Sequence, residues 1–251
     1  MGILEGKRIL VAGVLTEQSI AFSVARIAQE QGATVVLSNF GRALSLCQRI
    51  AKRLPQEAPV VELDVTNTEH LATLADRLRE HVDGLDGVVH SIGFAPQEAM
   101  GDGFTEVAWE HAATAFQVST WSLASLTQAC RPLFGDTASV VGLTFDASVA
   151  WPVYGWMGAA KAALESTSRY LARELGSRNI TANVVAPGFV STDMTAELPE
   201  KRQQEILGQV PLGRYAQAEE IAGVVRFLAG EQAGYITGAV VPVDGGLGMG
   251  H

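Results

Sequence analysis

A tyrosine and a lysine seven residues apart, Tyr154 and Lys161, are the side chains of this sequence best suited to chemistry. A tyrosine hydroxyl can give a hydrogen bond or a proton to an oxygen on which negative charge develops. A nearby ammonium favours that charge and can hold ribose hydroxyls. Residues from Gly155 onward favour a helix, in which positions seven apart lie on nearly the same face. The spacing therefore predicts that both side chains face one ligand.

The elements that must position these residues follow a regular alternation. Apolar, β-branched runs are typical of strands buried on both faces of a parallel sheet. They occur at residues 8–12, 34–37, 60–65, 87–90, 139–143, 181–185 and 239–243. Helical patterns lie between them, at residues 20–31, 43–53, 68–81, 107–131, 154–175 and 218–228. The alternation predicts one α/β domain over residues 1–251, a Rossmann-type doubly wound fold with a mainly parallel seven-stranded sheet flanked by helices.

Residues suited to a dinucleotide follow the first four predicted strands, where open α/β sheets bind their ligands. Gly13 ends the first strand, and Ser19 could offer its hydroxyl to a phosphate at the helix N-terminus. Phe40 could stack on adenine, and Asp64 could accept a hydrogen bond from the adenine amino group. The stretch Ser91-Ile92-Gly93 lets a cofactor approach the backbone. The alternatives are a tight turn at Gly13, an ordinary helix cap at Ser19, packing of Phe40 and a turn cap at Asp64.

The joint placement of these strand-end residues decides how the tyrosine and the lysine are interpreted. Taken alone, a tyrosine that packs and a lysine that extends its charge to solvent would be the simpler interpretation. Four strand ends with ligand-compatible residues make the functional interpretation the preferred one.

The motifs resemble those of the short-chain dehydrogenase/reductase superfamily. Residues 1 to about 180 resemble the enoyl-acyl-carrier-protein reductases of fatty-acid synthesis, especially the actinobacterial branch. The matching stretches are residues 2–10, Ser19-Ile20-Ala21, Leu63-Asp64-Val65, residues 87–94, Phe145-Asp146 and Tyr154-Gly155-Trp156-Met157 to Lys161. Most members of the superfamily place the lysine four residues after the tyrosine, and the seven-residue step is the enoyl-reductase variant. The serine that most members carry thirteen residues before the tyrosine would fall at Val141.

The last quarter of the chain, about residues 181–251, is similar to the 3-oxoacyl-acyl-carrier-protein reductases instead. The matching stretches are residues 183–194, Pro211-Leu212-Gly213-Arg214, residues 218–222 and residues 235–246. The sequence therefore resembles a hybrid, or chimera, of two related reductases. Residues 192–215 are expected to form a short, mobile substrate lid, polar and with few core anchors, that favours short acyl chains.

The resemblance implies NAD(P)H-dependent reduction of the trans-2 double bond of an enoyl thioester of acyl-carrier protein or CoA. Tyr154 would stabilise the oxygen that gains charge, Lys161 would anchor the ribose, and Phe145 would border the reacting carbons. The cofactor positions would be Gly13, Ser19, Ile20, Phe40, Asp64, Val65, Ser91, Ile92, Gly93, Lys161, Val190 and Thr192. NADH is the expected cofactor, and Arg42 keeps NADPH possible. The alternatives are a 3-oxoacyl-acyl-carrier-protein reductase and a dinucleotide-binding protein with little turnover.

The overall composition argues against some classes of binding partner. With 27 acidic and 18 basic residues the net charge is -9, which argues against nucleic acid and anionic membranes. Cys47 and Cys130 have no metal-like spacing and are expected to be free thiols. No apolar run has the length of a bilayer span, so a cytoplasmic protein is predicted. The superfamily resemblance implies a homotetramer, in which the helices at 107–131 and 154–175 pair across a dyad.

Overall fold

The computed structural model describes residues 2–192 and 199–250, and these build one seven-stranded sheet. The strands are β1 (Arg8–Ala12), β2 (Thr34–Asn39), β3 (Val60–Glu62), β4 (Leu85–His90), β5 (Phe134–Leu143), β6 (Ile180–Pro187) and β7 (Val240–Val243). Their order across the sheet is β3-β2-β1-β4-β5-β6-β7, and every neighbouring pair is parallel. The predicted Rossmann-type sheet is confirmed.

Helices cover both faces of the sheet because alternate strand residues are apolar on both sides. In β1, Ile9 and Val11 pack into one core, and Leu10 and Ala12 pack into the other. The helices are α1 (Ile20–Glu30), α2 (Gly41–Ala51), α3 (Thr68–Ala72), α4 (Leu74–Arg79), α5 (Trp109–Phe116), α6 (Ser122–Cys130), α7 (Gly155–Leu175), α8 (Glu200–Leu207) and α9 (Ala218–Ala229). No helix of the described ranges is both long and apolar enough to cross a membrane.

The sheet order fixes where a ligand can enter. The strands β1 and β4 are neighbours at the middle of the sheet. The chain runs from β1 to β2 toward one edge of the sheet, and it runs from β4 to β5 toward the other edge. This reversal opens a crevice at the carboxyl ends of β1 and β4, the usual ligand position in such folds.

The prediction of one regular helix over residues 107–131 is wrong. The structure divides it into α5, a π-helical turn at Gln117–Trp121 (the π-turn) and α6. Hydroxyl side chains compete for backbone groups here, since Ser122 Oγ donates to the carbonyl of Val118 at 2.6 Å.

Two other predicted boundaries also change. The helix predicted at 68–81 divides at Thr73, whose backbone N–H and hydroxyl both donate to the carbonyl of Glu69. The strand predicted at 60–65 ends at Glu62. Residues beyond it turn away because Asp64 Oδ1 accepts hydrogen bonds from the backbone and the hydroxyl of Thr66.

The predicted lid is described only in part, because residues 193–198 lie outside the described residues. Helix α8 follows Pro199. The expectation of few core anchors needs a correction, since Ile206 and Val210 are only 4% and 5% exposed. Apolar packing thus fixes the second half of the predicted lid to the body of the protein.

Candidate active site

The turn after β1 requires glycine. Gly13 has a φ of +98°, in the left-handed region. A Cβ built on it would lie 2.1 Å from the carbonyl oxygen of Ser91, at the end of β4. The backbone of this turn therefore touches the end of β4 directly, and only a residue without a side chain permits the contact.

A cavity of about 260 Å³ opens beside this turn. Seven of the predicted cofactor positions line it, namely Gly13, Phe40, Asp64, Val65, Ser91, Ile92 and Gly93. Phe40 stands at its rim with 46% of its surface exposed. Asn39 holds the rim in place, because its side chain donates to the carbonyl of Val14 at 2.7 Å and accepts from the backbone of Phe40 at 2.9 Å. The cavity has an aromatic wall, a carboxylate and exposed backbone, which suits a nucleoside.

Two of the polar cofactor candidates also make local contacts. Ser19 Oγ donates to the carbonyl of Thr16 at 2.6 Å and accepts from the backbone of Phe22 at 3.2 Å, as a helix cap does. Asp64 caps a turn through Thr66 while it lines the cavity. The capping alternatives for both residues are therefore present in the structure, and the phosphate role of Ser19 and the adenine role of Asp64 stay predictions.

Lys161 lies beneath the loop that follows β4. Its ammonium donates to the carbonyl of Leu143 at 2.9 Å and to that of Ile92 at 3.4 Å. A Cβ at Gly93 would come within 3.3 Å of the same nitrogen. Burial lowers the pKa of Lys161 to about 8. The lysine thus places its charge between the end of β5 and the loop after β4 and does not extend it into solvent.

Tyr154 is placed by stacking on an aromatic ring. It precedes α7 as the N-cap residue, and Gly155 has a φ of +47°. The helix therefore does not extend back to Tyr154. A shared helix face is thus the wrong reason to expect Tyr154 and Lys161 to face one ligand. The Tyr154 ring stacks on Phe145 with centroids 4.1 Å apart. Burial raises the pKa of Tyr154, which keeps its hydroxyl protonated and able to donate.

A second cavity, of about 220 Å³, is lined by Tyr154. Phe145 and Tyr154 form one wall, and Ile206 with Gln209 reaches it from α8 and the residues after it. Trp151 is fixed against the cavity by a 2.7 Å hydrogen bond from its indole nitrogen to the carbonyl of Asp146 and by an edge contact with Phe189. The lining is mainly apolar, as a site for an acyl chain should be.

Five predicted cofactor residues line neither cavity, namely Ser19, Ile20, Lys161, Val190 and Thr192. Ile20 is the first residue of α1, and Val190 is buried and pairs with Ala216 in an isolated bridge. Their predicted contacts with a cofactor are not tested by the geometry. Val141, at the position where most superfamily members carry serine, is fully buried in the core.

The sequence reasoning missed Ser119. This fully buried serine of the π-turn donates to the carbonyl of Phe94 and accepts from its backbone N–H, both at 2.9 Å. No local signal marks it, because a serine inside a helix-like stretch is not distinctive without the π-turn that orients it.

Comparisons with known proteins identify the family. The family model described as Enoyl-(Acyl carrier protein) reductase matches residues 13–248. The enoyl-acyl-carrier-protein reductase (NADH) of Mycolicibacterium smegmatis is 42% identical over 98% of this chain and 97% of its own length. The enzyme of the same name from Mycobacterium avium is 46% identical over 76% of this chain and 72% of its own length. The 3-oxoacyl-acyl-carrier-protein reductase of Pseudomonas aeruginosa is 38% identical over 98% of this chain and 99% of its own length.

Relatives of both kinds align with nearly the whole chain, so the division into two parts near residue 180 stays a prediction. The resemblance to enoyl-acyl-carrier-protein reductases is confirmed. The chain belongs to the enoyl-acyl-carrier-protein reductase family of the short-chain dehydrogenases/reductases.

Proposed function

We propose that this chain reduces the trans-2 double bond of an enoyl thioester, carried by acyl-carrier protein or CoA, with NADH in fatty-acid synthesis. The observation that carries the proposal is the pair formed by Tyr154, stacked on Phe145 beside an apolar cavity, and the buried Lys161 seven residues later. The family and its mycobacterial relatives support this activity. The core position of Val141 speaks against the ketone chemistry of serine-containing relatives.

The residues of the first cavity fit a nicotinamide dinucleotide, because Gly13 lets the turn after β1 lie directly against the end of β4, beside the aromatic ring and the carboxylate that line the cavity. NADH bound in this cavity would supply a hydride to the β-carbon of the enoyl thioester, and the enolate so formed would take up a solvent proton at the α-carbon. Tyr154 donates a hydrogen bond to the thioester oxygen as that oxygen gains charge, which lowers the barrier. Lys161 holds the ribose hydroxyls, and Phe145 keeps water from the reacting carbons.

Assays with a crotonyl thioester and an acetoacetyl thioester test this proposal. We expect NADH oxidation with the crotonyl substrate and a much lower kcat/KM with the acetoacetyl substrate. The Pseudomonas aeruginosa relative makes 3-oxoacyl reduction the second candidate. Preference for acetoacetyl thioester would favour that candidate, and slow turnover of both would favour a dinucleotide-binding protein.

NADH should be preferred over NADPH by about tenfold or more in kcat/KM, a difference of about 1.4 kcal/mol. The physical reason is the pairing of the aromatic Phe40 with Asp64 around the same cavity, where a carboxylate would repel an added phosphate. The measurement is kcat/KM for both cofactors at one crotonyl concentration. A preference for NADPH would mean that Arg42 binds the 2′-phosphate.

The affinity for NADH should fall as the pH rises through about 8. The ammonium of Lys161 loses its proton near this pH and can then no longer donate to ribose with full strength. His90 stays neutral because burial lowers its pKa to about 3, and Tyr154 stays protonated because its pKa is raised. NADH fluorescence titrations on both sides of pH 8 measure the effect. The Lys161→Met variant is the control and should bind weakly without this pH dependence.

A homotetramer is proposed for the active form, in the cytoplasm. The groove between α3, α6 and α7 is a cavity of about 730 Å³ lined by apolar residues such as Leu71 and Leu171. Trp121 and Tyr170, on the π-turn and α7, are 63% and 70% exposed. Exposed aromatic area of this kind favours a partner subunit. Light scattering should give four times 26.6 kDa, and a species of 26.6 kDa alone would rule the tetramer out.

A further inference from the structure

Three buried hydroxyl residues, two in the π-turn and one at the start of α6, attach this segment to three different parts of the site. Ser119 bonds both backbone groups of Phe94. Thr120 Oγ1 donates to the carbonyl of Ala160 in α7 at 2.6 Å. Ser122 Oγ lies 2.6 Å from Nε2 of His90, the last residue of β4. π-turns are rare inside helices and are frequent near functional sites.

The two contacts of Ser119 use the one proton of the hydroxyl and one of its two lone pairs. Because the hydroxyl binds both the N–H and the carbonyl of Phe94, it fixes the position and the orientation of that residue's backbone. Gly93 lies next to this contact, since a Cβ on Gly93 would be 3.9 Å from Ser119 Oγ.

Lys161 holds the other side of the same loop. Its ammonium lies 3.4 Å from the carbonyl of Ile92, one residue before Gly93. The carbonyl that Thr120 binds belongs to Ala160, the residue before Lys161. The π-turn therefore contacts both the loop after β4 and the helical turn that carries the lysine, and it determines the spacing between them.

We propose that Ser119 is a positioning residue that holds the loop Ile92-Gly93-Phe94 against Lys161 so that the cofactor's ribose end can bind. This inference rests on the proposed function, because it assigns the cofactor to this loop. Without the hydroxyl, the Phe94 N–H and carbonyl lose their partner and the loop can move away from the ammonium.

The experiment compares Ser119→Ala with Thr127→Val in the full-length protein. Thr127 is buried in α6, and its hydroxyl donates only to the carbonyl of Leu123 in its own helix at 2.7 Å. Both changes remove one buried hydroxyl, so both should lower Tm. We expect Ser119→Ala to raise the Kd and KM for NADH about tenfold while kcat at saturating NADH stays near wild type. Thr127→Val should leave the Kd for NADH unchanged.

Each outcome decides the proposal. An unchanged Kd for NADH in Ser119→Ala overturns it, as does an equal rise in Thr127→Val. If Ser119→Ala does not fold, Thr120→Val replaces it, because this change breaks the contact with Ala160 and should raise the same Kd. A wild-type protein that binds NADH but reduces no thioester would refute the proposed function, and the Kd comparison would still test Ser119. Absence of NADH and NADPH binding would overturn both.

Discussion

Tyr154→Phe should lower kcat on the order of a hundredfold, as the loss of one hydrogen-bond donor to a developing oxyanion does. The substitution keeps the aromatic ring and therefore the stacking on Phe145 at 4.1 Å. Only the hydroxyl is lost, and the raised pKa of Tyr154 keeps this hydroxyl protonated in the wild-type protein. The cavity, the cofactor turn and Lys161 are unaffected, so the Kd for NADH should remain near its wild-type value.

The measurement is kcat with a crotonyl thioester together with an NADH fluorescence titration. Tyr235→Phe is a matched control, because Tyr235 is fully exposed and its hydroxyl lies outside both cavities. The control should keep full activity. Undiminished turnover in Tyr154→Phe would show that another group donates to the thioester oxygen. A joint loss of turnover and NADH binding would instead indicate that the ring is displaced.

Gly13→Ala should weaken NADH binding by about a hundredfold, since a misplacement of about 1 Å at a binding element can cost that much. Two effects combine at this position. A residue with a Cβ is strained at a φ of +98°, and its Cβ would overlap the carbonyl oxygen of Ser91 at 2.1 Å. The overlap forces the turn and the end of β4 apart, and a displaced turn should hold the pyrophosphate less well.

Gly6→Ala separates these two effects. Gly6 also has a positive φ, of +72°, but a Cβ there would have no neighbour within 4 Å. This control should lose some stability from strain and keep its NADH affinity. Calorimetric titration with NADH and thermal unfolding measure the two effects for each variant. Equal affinities for Gly13→Ala and Gly6→Ala would show that the contact with Ser91 does not position the cofactor.

The sheet and the cofactor side of the site could be predicted because they depend on local patterns. Strands buried on both faces are near-continuous apolar runs, and their order places Gly13, Asp64 and Gly93 at one edge. These residues do line one cavity. Their chemical roles remain predictions, since contact with a cofactor depends on groups outside the chain.

The rest of the site depends on contacts between distant residues. The π-turn and the start of α6 are held by hydroxyls that bond to β4, to its loop and to α7, and no periodicity within 107–131 indicates these contacts. The sequence places Tyr154 in a helix that in the structure begins one residue later, and its catalytic role stays a prediction. The positive φ of Gly155 separates the tyrosine from the helical register, and glycine alone does not reveal which φ it adopts.

The contact between Gly13 and the carbonyl of Ser91 limits how the enzyme can be redesigned. Glycine-rich turns are attractive modules for exchanging cofactor preference, because they are short and contiguous. Here Gly13 of the turn is in direct contact with Ser91 at the end of β4, although 78 positions of sequence separate the two residues. A graft of residues 13–19 from another dinucleotide enzyme would therefore need a matching graft of residues 91–93. The two segments form one transferable unit, and libraries that vary only one of them would sample mostly mismatched pairs.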